Sequence, residues 1–240
     1  MNTISLNQIE GFLLDYKQSI VKKRIEQTET LKHDFNHLLL EYKQFRDEAI
    51  DKAPFEAPSF NIFRLLGVTR DEVRTHSQFI AELLKPTGTH GQGALFLRNF
   101  IEECKLKYDT FPFIRSDLEQ EHWNAYTEEI VQEGRLDIKI VNPMLSSLIV
   151  IENKIDAPEQ NRQLARYQEY MNLHIRDFPV QALIYLTIPG KHSVTASDQE
   201  YYRLSYHQDI FSWLEKTMPE IQAPVVQETI RQYMSTIYRL

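Results

Sequence analysis

The sequence predicts an α/β fold: a mixed central sheet flanked by helices, with a helical extension at the N-terminus. Three observations predict it. Apolar residues recur at helical spacing through the first 50 or so positions. From position 122 the pattern becomes strand-like: RLDIKIV alternates and SSLIVIENK is continuously apolar. A helical stretch and a further apolar run, VQALIYLTI, then follow. The order is helices, three strands, helix, strand, helices, which describes a layered core.

Each element has its own signal. Ile9, Phe12, Leu13, Tyr16 and Ile20 form one stripe, and Leu31, Phe35, Leu38, Leu39 and Tyr42 another, which predicts a helical pair. DKAPFEAPSF, with two prolines, reads as a linker, so the division expected is a helical extension over 1–55 and a core domain over 56–240. Asp71 or Thr75 starts the next helix, Phe79, Ile80, Leu83 and Leu84 line its apolar side, Glu82 is polar within it, and Pro86 ends it. Of the seven glycines, three fall at 88, 91 and 93, marking a loop that needs unusual backbone angles or a close approach. ALFLRNFIEECKL is a helix and HWNAYTEEIVQ the first strand. In RLDIKIV, Leu136, Ile138 and Ile140 point one way and Asp137 and Lys139 the other. Pro158 opens a helix to about 175, and FSWLEKTM and PVVQETIRQYMSTIY close the chain as helices.

Composition narrows the function classes. The chain has 240 residues, 42% apolar and 25% charged, as in ordinary globular proteins. No apolar run reaches the length of a membrane span, and the N-terminus carries no signal-peptide pattern. A single cysteine, Cys104, excludes an internal disulfide framework and fits a reducing cytoplasm. A net charge of -7 argues against a broad basic nucleic-acid face, yet is compatible with a carboxylate-rich site for hard cations.

The chemistry concentrates at LIVIENK. Side chains two apart on a strand share a face, so Glu152 and Lys154 point together. If the two strands pair as a hairpin around NPMLSS, Asp137 lies beside Glu152. Two carboxylates so close repel unless a cation separates them. Mg²⁺ suits oxygen ligands, with Mn²⁺ as a substitute, and a neighbouring lysine can orient water and stabilise phosphate charge. The bland reading is a solvated surface ion pair worth about 0–1 kcal/mol.

Those residues resemble the signature of the PD-(D/E)XK nuclease superfamily: an Asp on the second core strand, here Asp137, and Glu-x-Lys on the third, here Glu152-Asn153-Lys154. GRLDI, IENKI, QLARY, HSQFIAELLKP and HGQG are similar to one bacterial family within it, over about position 60 to the end. The residue before Asp137 is Leu136 and not proline, a common departure. The resemblance implies a restriction-endonuclease-like core of α-β-β-β-α-β order and a Mg²⁺-dependent nuclease that hydrolyses phosphodiester bonds, in DNA before RNA. It implies that Asp137, Glu152 and the backbone carbonyl of Asn153 hold the metal, and that Lys154 serves the attacking water. Glu82 matches a helix glutamate that binds the metal directly or through water in many relatives. Gln163 and Tyr167, one turn apart, match a Gln-x-x-x-Tyr element in which the Gln supports the metal ligands and the Tyr touches the DNA backbone. The resemblance leaves a homodimer open, and defence against phage is an analogy to relatives. The alternative is a catalytically inactive module of the same fold acting in protein–protein interaction or assembly.

Other polar residues carry weaker signals. His76 and His90 fit loop bracing better than catalysis. Arg135 reads as a salt-bridge former. Glu128, Glu129 and Glu133 crowd the first strand without singling out one for the site, and QEYYRLSYH shows no pattern.

Overall fold

The computed structural model describes residues 6–57, 59–113, 122–196 and 200–240. The chain divides into two compact units, one up to Phe60 and one from Asn61 to Leu240.

The first unit is a single helix, α1, Leu6–Glu56, where the two stripes predict a pair. Nothing between Ile20 and Leu31 breaks it: KKRIEQTET holds no glycine or proline, so the two stripes sit on one rod. Pro54 falls in the last turn, where it removes one donor and does not end the helix earlier. The side chains of Ile9, Phe12 and Leu13 lie outside the described residues.

The second unit is built on a five-stranded mixed sheet in the order β1-β2-β3-β4-β5: β1 Asn124–Val131, β2 Gly134–Asn142, β3 Ser147–Lys154, β4 Val180–Thr187 and β5 Tyr202–Ser205. β1–β2 and β2–β3 are antiparallel; β3–β4 and β4–β5 are parallel. Helices α2 (Ile62–Leu65), α3 (Gln78–Leu83), α4 (Leu95–Lys107), α5 (Gln163–Leu173), α6 (Phe211–Thr217) and α7 (Pro224–Ile237) flank the sheet. This is the restriction-endonuclease-like α/β arrangement that the strand order predicts.

Two apolar clusters cover the sheet. Ile138, Ile140, Ile149, Ile151, Ile184 and Leu186 pack with Phe96, Phe100, Trp213 and Tyr233 of α4, α6 and α7, and Cys104 is buried among them. Leu148, Val150, Leu183 and Tyr185 pack with Leu164, Tyr167 and Met171 of α5. β3 is buried at every position because both its faces are covered. Leu136 belongs to the α5 cluster while Ile138 and Ile140 belong to the other, so the simple alternation expected along β2 slips. The slip coincides with a gap in the β1–β2 ladder, which pairs Thr127 with Ile138 and Glu129 with Leu136 but skips Glu128. Glu128 has a left-handed backbone, φ 57°.

Three local outcomes bear on the site. Asp71 caps a π-helical turn, Glu72–Ser77, that runs into α3, accepting a hydrogen bond from the Arg74 N–H. The 88–93 loop needs its glycines for both expected reasons: Gly91 and Gly93 have positive φ, and a Cβ on Gly88 would stand 2.6 Å from the Glu82 carbonyl oxygen. α5 starts at Gln163 and not at Pro158, because residues before it are held in a non-helical path ending at Arg162, φ 53°. β5 lies within the segment that shows no pattern: four residues on a sheet edge are too few for alternation to register.

Candidate active site

The β2–β3 register pairs Ile138 with Ile151, and one step further sets Asp137 opposite Glu152. Asp137 Oδ2 accepts a 2.9 Å hydrogen bond from the Asn153 N–H. Lys154 Nζ lies 2.5 Å from Glu152 Oε1, 3.8 Å from Asp137 Oδ2 and 3.5 Å from Glu72 Oε1. Asp137, Glu152, Asn153 and Lys154 are all buried.

Strand alternation divides the labour at the end of β3. Leu148 and Val150 belong to the α5 cluster, so Glu152 and Lys154 follow them to that face. The Asn153 side chain goes to the other. Its Nδ2 donates to Ser77 Oγ at 3.0 Å, and its Oδ1 accepts from the Tyr206 hydroxyl at 2.8 Å. Tyr206 packs edge-on against His76, whose Nδ1 lies 2.9 Å from the Tyr233 hydroxyl and whose Nε2 lies 2.9 Å from the Thr69 carbonyl. Burial lowers the His76 pKa, and the histidine braces the π-helical turn against α7. His90 braces its own loop: Nδ1 accepts from the Gln92 N–H, so Nε2 donates to the Lys85 carbonyl.

The electrostatics of the cluster are uneven. Burial, with the Asp137 charge adding to it, pushes the Glu152 carboxyl up to about 8, against the pull of Lys154. Burial lowers the Lys154 pKa, but Glu152 and Asp137 outweigh it, so the lysine stands above its ordinary value and is a cation. Lys154 and the Tyr167 hydroxyl both hydrogen-bond the Glu152 carboxyl and pull its pKa down, without overcoming burial and Asp137. A carboxyl group 1% exposed and set beside a second acid is a costly arrangement for a purely structural residue.

The other sequence-predicted residues distribute as follows. Gln163 and Tyr167 are brought to the α5 side of the cluster, with Gln163 Nε2 3.5 Å from the Tyr167 hydroxyl. Tyr167 donates to the Arg135 carbonyl, and burial, aided by the Glu152 and Asp137 charges, raises its pKa. It is fully buried and its hydroxyl braces β2. Glu82 is not brought to the cluster. Its carboxylate is held by the N–H and hydroxyl of Thr89, and those bonds outweigh burial to lower its pKa.

Two acids that the sequence does not single out stand closer. Glu72, in the first turn after the Asp71 cap, accepts from the Ile155 N–H at 2.7 Å and flanks Lys154. The cap itself is the signal that would have found it, since first-turn acids follow N-caps. Glu128 pairs with Arg135 at 2.8 Å, while its other oxygen is buried without a partner. Burial raises the Glu128 pKa, and Asp137 and Glu72 add to the rise. Its left-handed backbone, opposite Asp137, was not readable from glutamates in a row.

The donor set suits a hard divalent cation. Among the described residues no three His, Cys, Asp or Glu side chains converge as a ready-made cage. Mg²⁺ does not demand one: it binds through one or two carboxylates and keeps several waters. Asp137 and Glu152 supply two acid groups that face each other in a buried cluster, and their mutual repulsion is the observation in favour of the fit.

No curated protein and no solved structure matches the chain. A family model described as PD-(D/E)XK nuclease superfamily matches residues 60–235, most of the chain. That match spans the sheet, the carboxylate cluster and the helices around them, and it points to a nuclease-type hydrolase. The chain therefore belongs to a family of the PD-(D/E)XK nuclease superfamily.

Proposed function

We propose that the chain is a metal-dependent nuclease that hydrolyses phosphodiester bonds in DNA. The observation that carries this reading is the buried pair of acids, Asp137 facing Glu152, with the Lys154 ammonium 2.5 Å from Glu152 and 3.8 Å from Asp137. A carboxylate so placed gains most from a cation.

Asp137 and Glu152 would hold Mg²⁺ or Mn²⁺, with the Asn153 carbonyl as a further oxygen. The metal, when bound, supplies charge stabilisation at the phosphate and a more acidic water. Lys154, a cation, donates hydrogen bonds to the attacking water and to the phosphate oxygen that gains charge. In the reaction, the water oxygen bonds to phosphorus as its proton leaves to solvent, the bond to the leaving sugar oxygen breaks, and that oxygen takes up a proton from solvent. Glu72 receives the Ile155 N–H and steadies the far side of Lys154. Tyr167 holds the start of β2 through the Arg135 carbonyl, and Gln163 accepts from the Gln160 N–H at the entry to α5. Asn153 locks β3 to the π-helical turn on the opposite face.

The test is cleavage of a panel of DNA and RNA substrates with Mg²⁺, Mn²⁺ or chelator, alongside Mn²⁺ calorimetry. Metal-dependent DNA cleavage, and Mn²⁺ uptake that Glu152→Gln removes, are expected. No cleavage of any substrate together with unchanged Mn²⁺ uptake in Glu152→Gln sinks the proposal and favours a binding module.

A further inference from the structure

We infer that α1 is a parallel coiled-coil seam through which a second copy of this chain associates. The inference rests on α1 alone and stands whether or not the chain cuts DNA.

The helix is 51 residues long, about 77 Å at ~1.5 Å per residue. Helices in water draw most of their stability from packing an apolar stripe, not from propensity. On α1 the stripe faces solvent. Leu31, Phe35, Leu38, Tyr42 and Phe45 follow one another at alternating steps of four and three, the d-a-d-a-d spacing of a heptad seam. These five side chains are 60–72% exposed. Further back Val21 and Leu14 keep the a positions, but Thr28 falls at a and Arg24 and Lys17 at d, so the apolar seam proper runs from Leu31 to Phe45.

The flanking charges choose the occupant and its direction. In this register Asp34, Glu41 and Glu48 all fall at g, while Lys32 and Arg46 fall at e. In a parallel, in-register pair, each g residue meets the e residue five positions later on the other helix, so Glu41 meets Arg46 of the other copy, twice by symmetry. In an antiparallel pair g faces g and e faces e, setting acid against acid and base against base. A single α1 already carries both halves of the match, which is what a self-complementary partner requires. Within one helix Arg46 pairs only with its neighbour Asp47, an exposed contact easily exchanged.

The experiment uses the full chain. Light scattering and sedimentation equilibrium are expected to give twice the 28.4 kDa chain mass. Leu38→Glu is expected to leave only monomer at the same concentration. Glu41→Arg or Arg46→Glu alone should raise the dimer Kd by about tenfold, and the two together should restore it, an outcome that misfolding would not produce. Leu38→Cys should form a covalent dimer on mild oxidation, because a parallel seam sets d against its own copy, whereas the natural Cys104 is buried and does not react. A monomeric full chain, a dimer indifferent to Leu38→Glu, or a dimer in which Leu38→Cys never cross-links overturns the inference.

Discussion

The end of β3 and the segment just after it treat a glutamate in opposite ways. Glu152 is buried, faces Asp137 and shares the Lys154 ammonium with it. Glu159, seven residues on, accepts from the Tyr185 hydroxyl at 2.5 Å, from Ser193 Oγ at 2.7 Å, and from the Val194 and Thr195 N–H groups and Thr195 Oγ1, each at 3.0 Å. Burial raises both carboxyls, yet the donors around Glu159 outweigh it and bring that group down to about 2, while Glu152 goes up to about 8. The same side chain serves two ends. Where the fold supplies every donor, the carboxylate fastens the chain leading into α5 to the loop after β4. Where it sets a second acid alongside, one ammonium serves both, and the pair is left for a cation from outside the chain. Stability and chemistry are separated by two turns of sequence, and substitutions should separate them too.

The largest effect should come from the Glu152 side. Asp137→Asn or Glu152→Gln is expected to lower DNA cleavage by about 10³-fold or more, since several kcal/mol of charge stabilisation go with the metal. Lys154→Met should cost about 10²- to 10³-fold in single-turnover rate with the fold unchanged by circular dichroism. A sharper contrast follows for the helix acids: Glu72→Gln should slow cleavage more than Glu82→Gln, because Glu72 flanks Lys154 and Glu82 is spent on Thr89. Cleavage insensitive to Glu72 and lost with Glu82 would invert that part of the picture.

The saturated side should show in stability. Glu159→Gln is expected to cost about 1.5–3 kcal/mol of unfolding free energy, read by urea titration, and to leave cleavage within about threefold. The pH profile then divides the two groups. Glu159 has a depressed folded pKa, so its contribution is full above the ordinary glutamate value near 4.5 and fades as pH falls toward about 2. Glu152 has a raised folded pKa, so metal-free protein should lose stability as pH rises from near 4.5 to about 8. Glu152→Gln should flatten the second trend and leave the first. The smallest effect belongs to Tyr206→Phe, about 1 kcal/mol, which removes one buried hydrogen bond to Asn153. If Glu159→Gln abolished cleavage while Glu152→Gln only softened the fold, the contrast would be reversed.

The sequence made the pattern of the core legible for physical reasons that can be traced. A strand covered on both faces is apolar throughout, and that exposed β3 and β4; a two-residue period then put Glu152 and Lys154 on one face. The hairpin turn Pro143–Ser146 is short enough to set Asp137 across from Glu152. What stayed hidden depends on backbone geometry or long-range packing. Glu128 owes its place to a left-handed residue within a strand, which no local pattern announces. Glu72 sits on a π-helical turn ahead of α3, outside the regular helix in which the family resemblance seeks its glutamate, so the match fell on Glu82. The continuity of α1 hides too, since a change of apolar phase looks like two helices whether or not the backbone breaks.

The lone sulfhydryl has a practical consequence. Cys104 lies on α4 among buried side chains, 1% exposed, and burial pushes its thiol well above the ordinary range. A thiol held neutral and out of reach is a poor nucleophile, so alkylating dyes and spin labels should pass it by. The wild-type chain is thus a silent background for reporter chemistry. One cysteine introduced at any exposed position becomes a unique handle, ready for fluorescence or distance measurements without first deleting the native one.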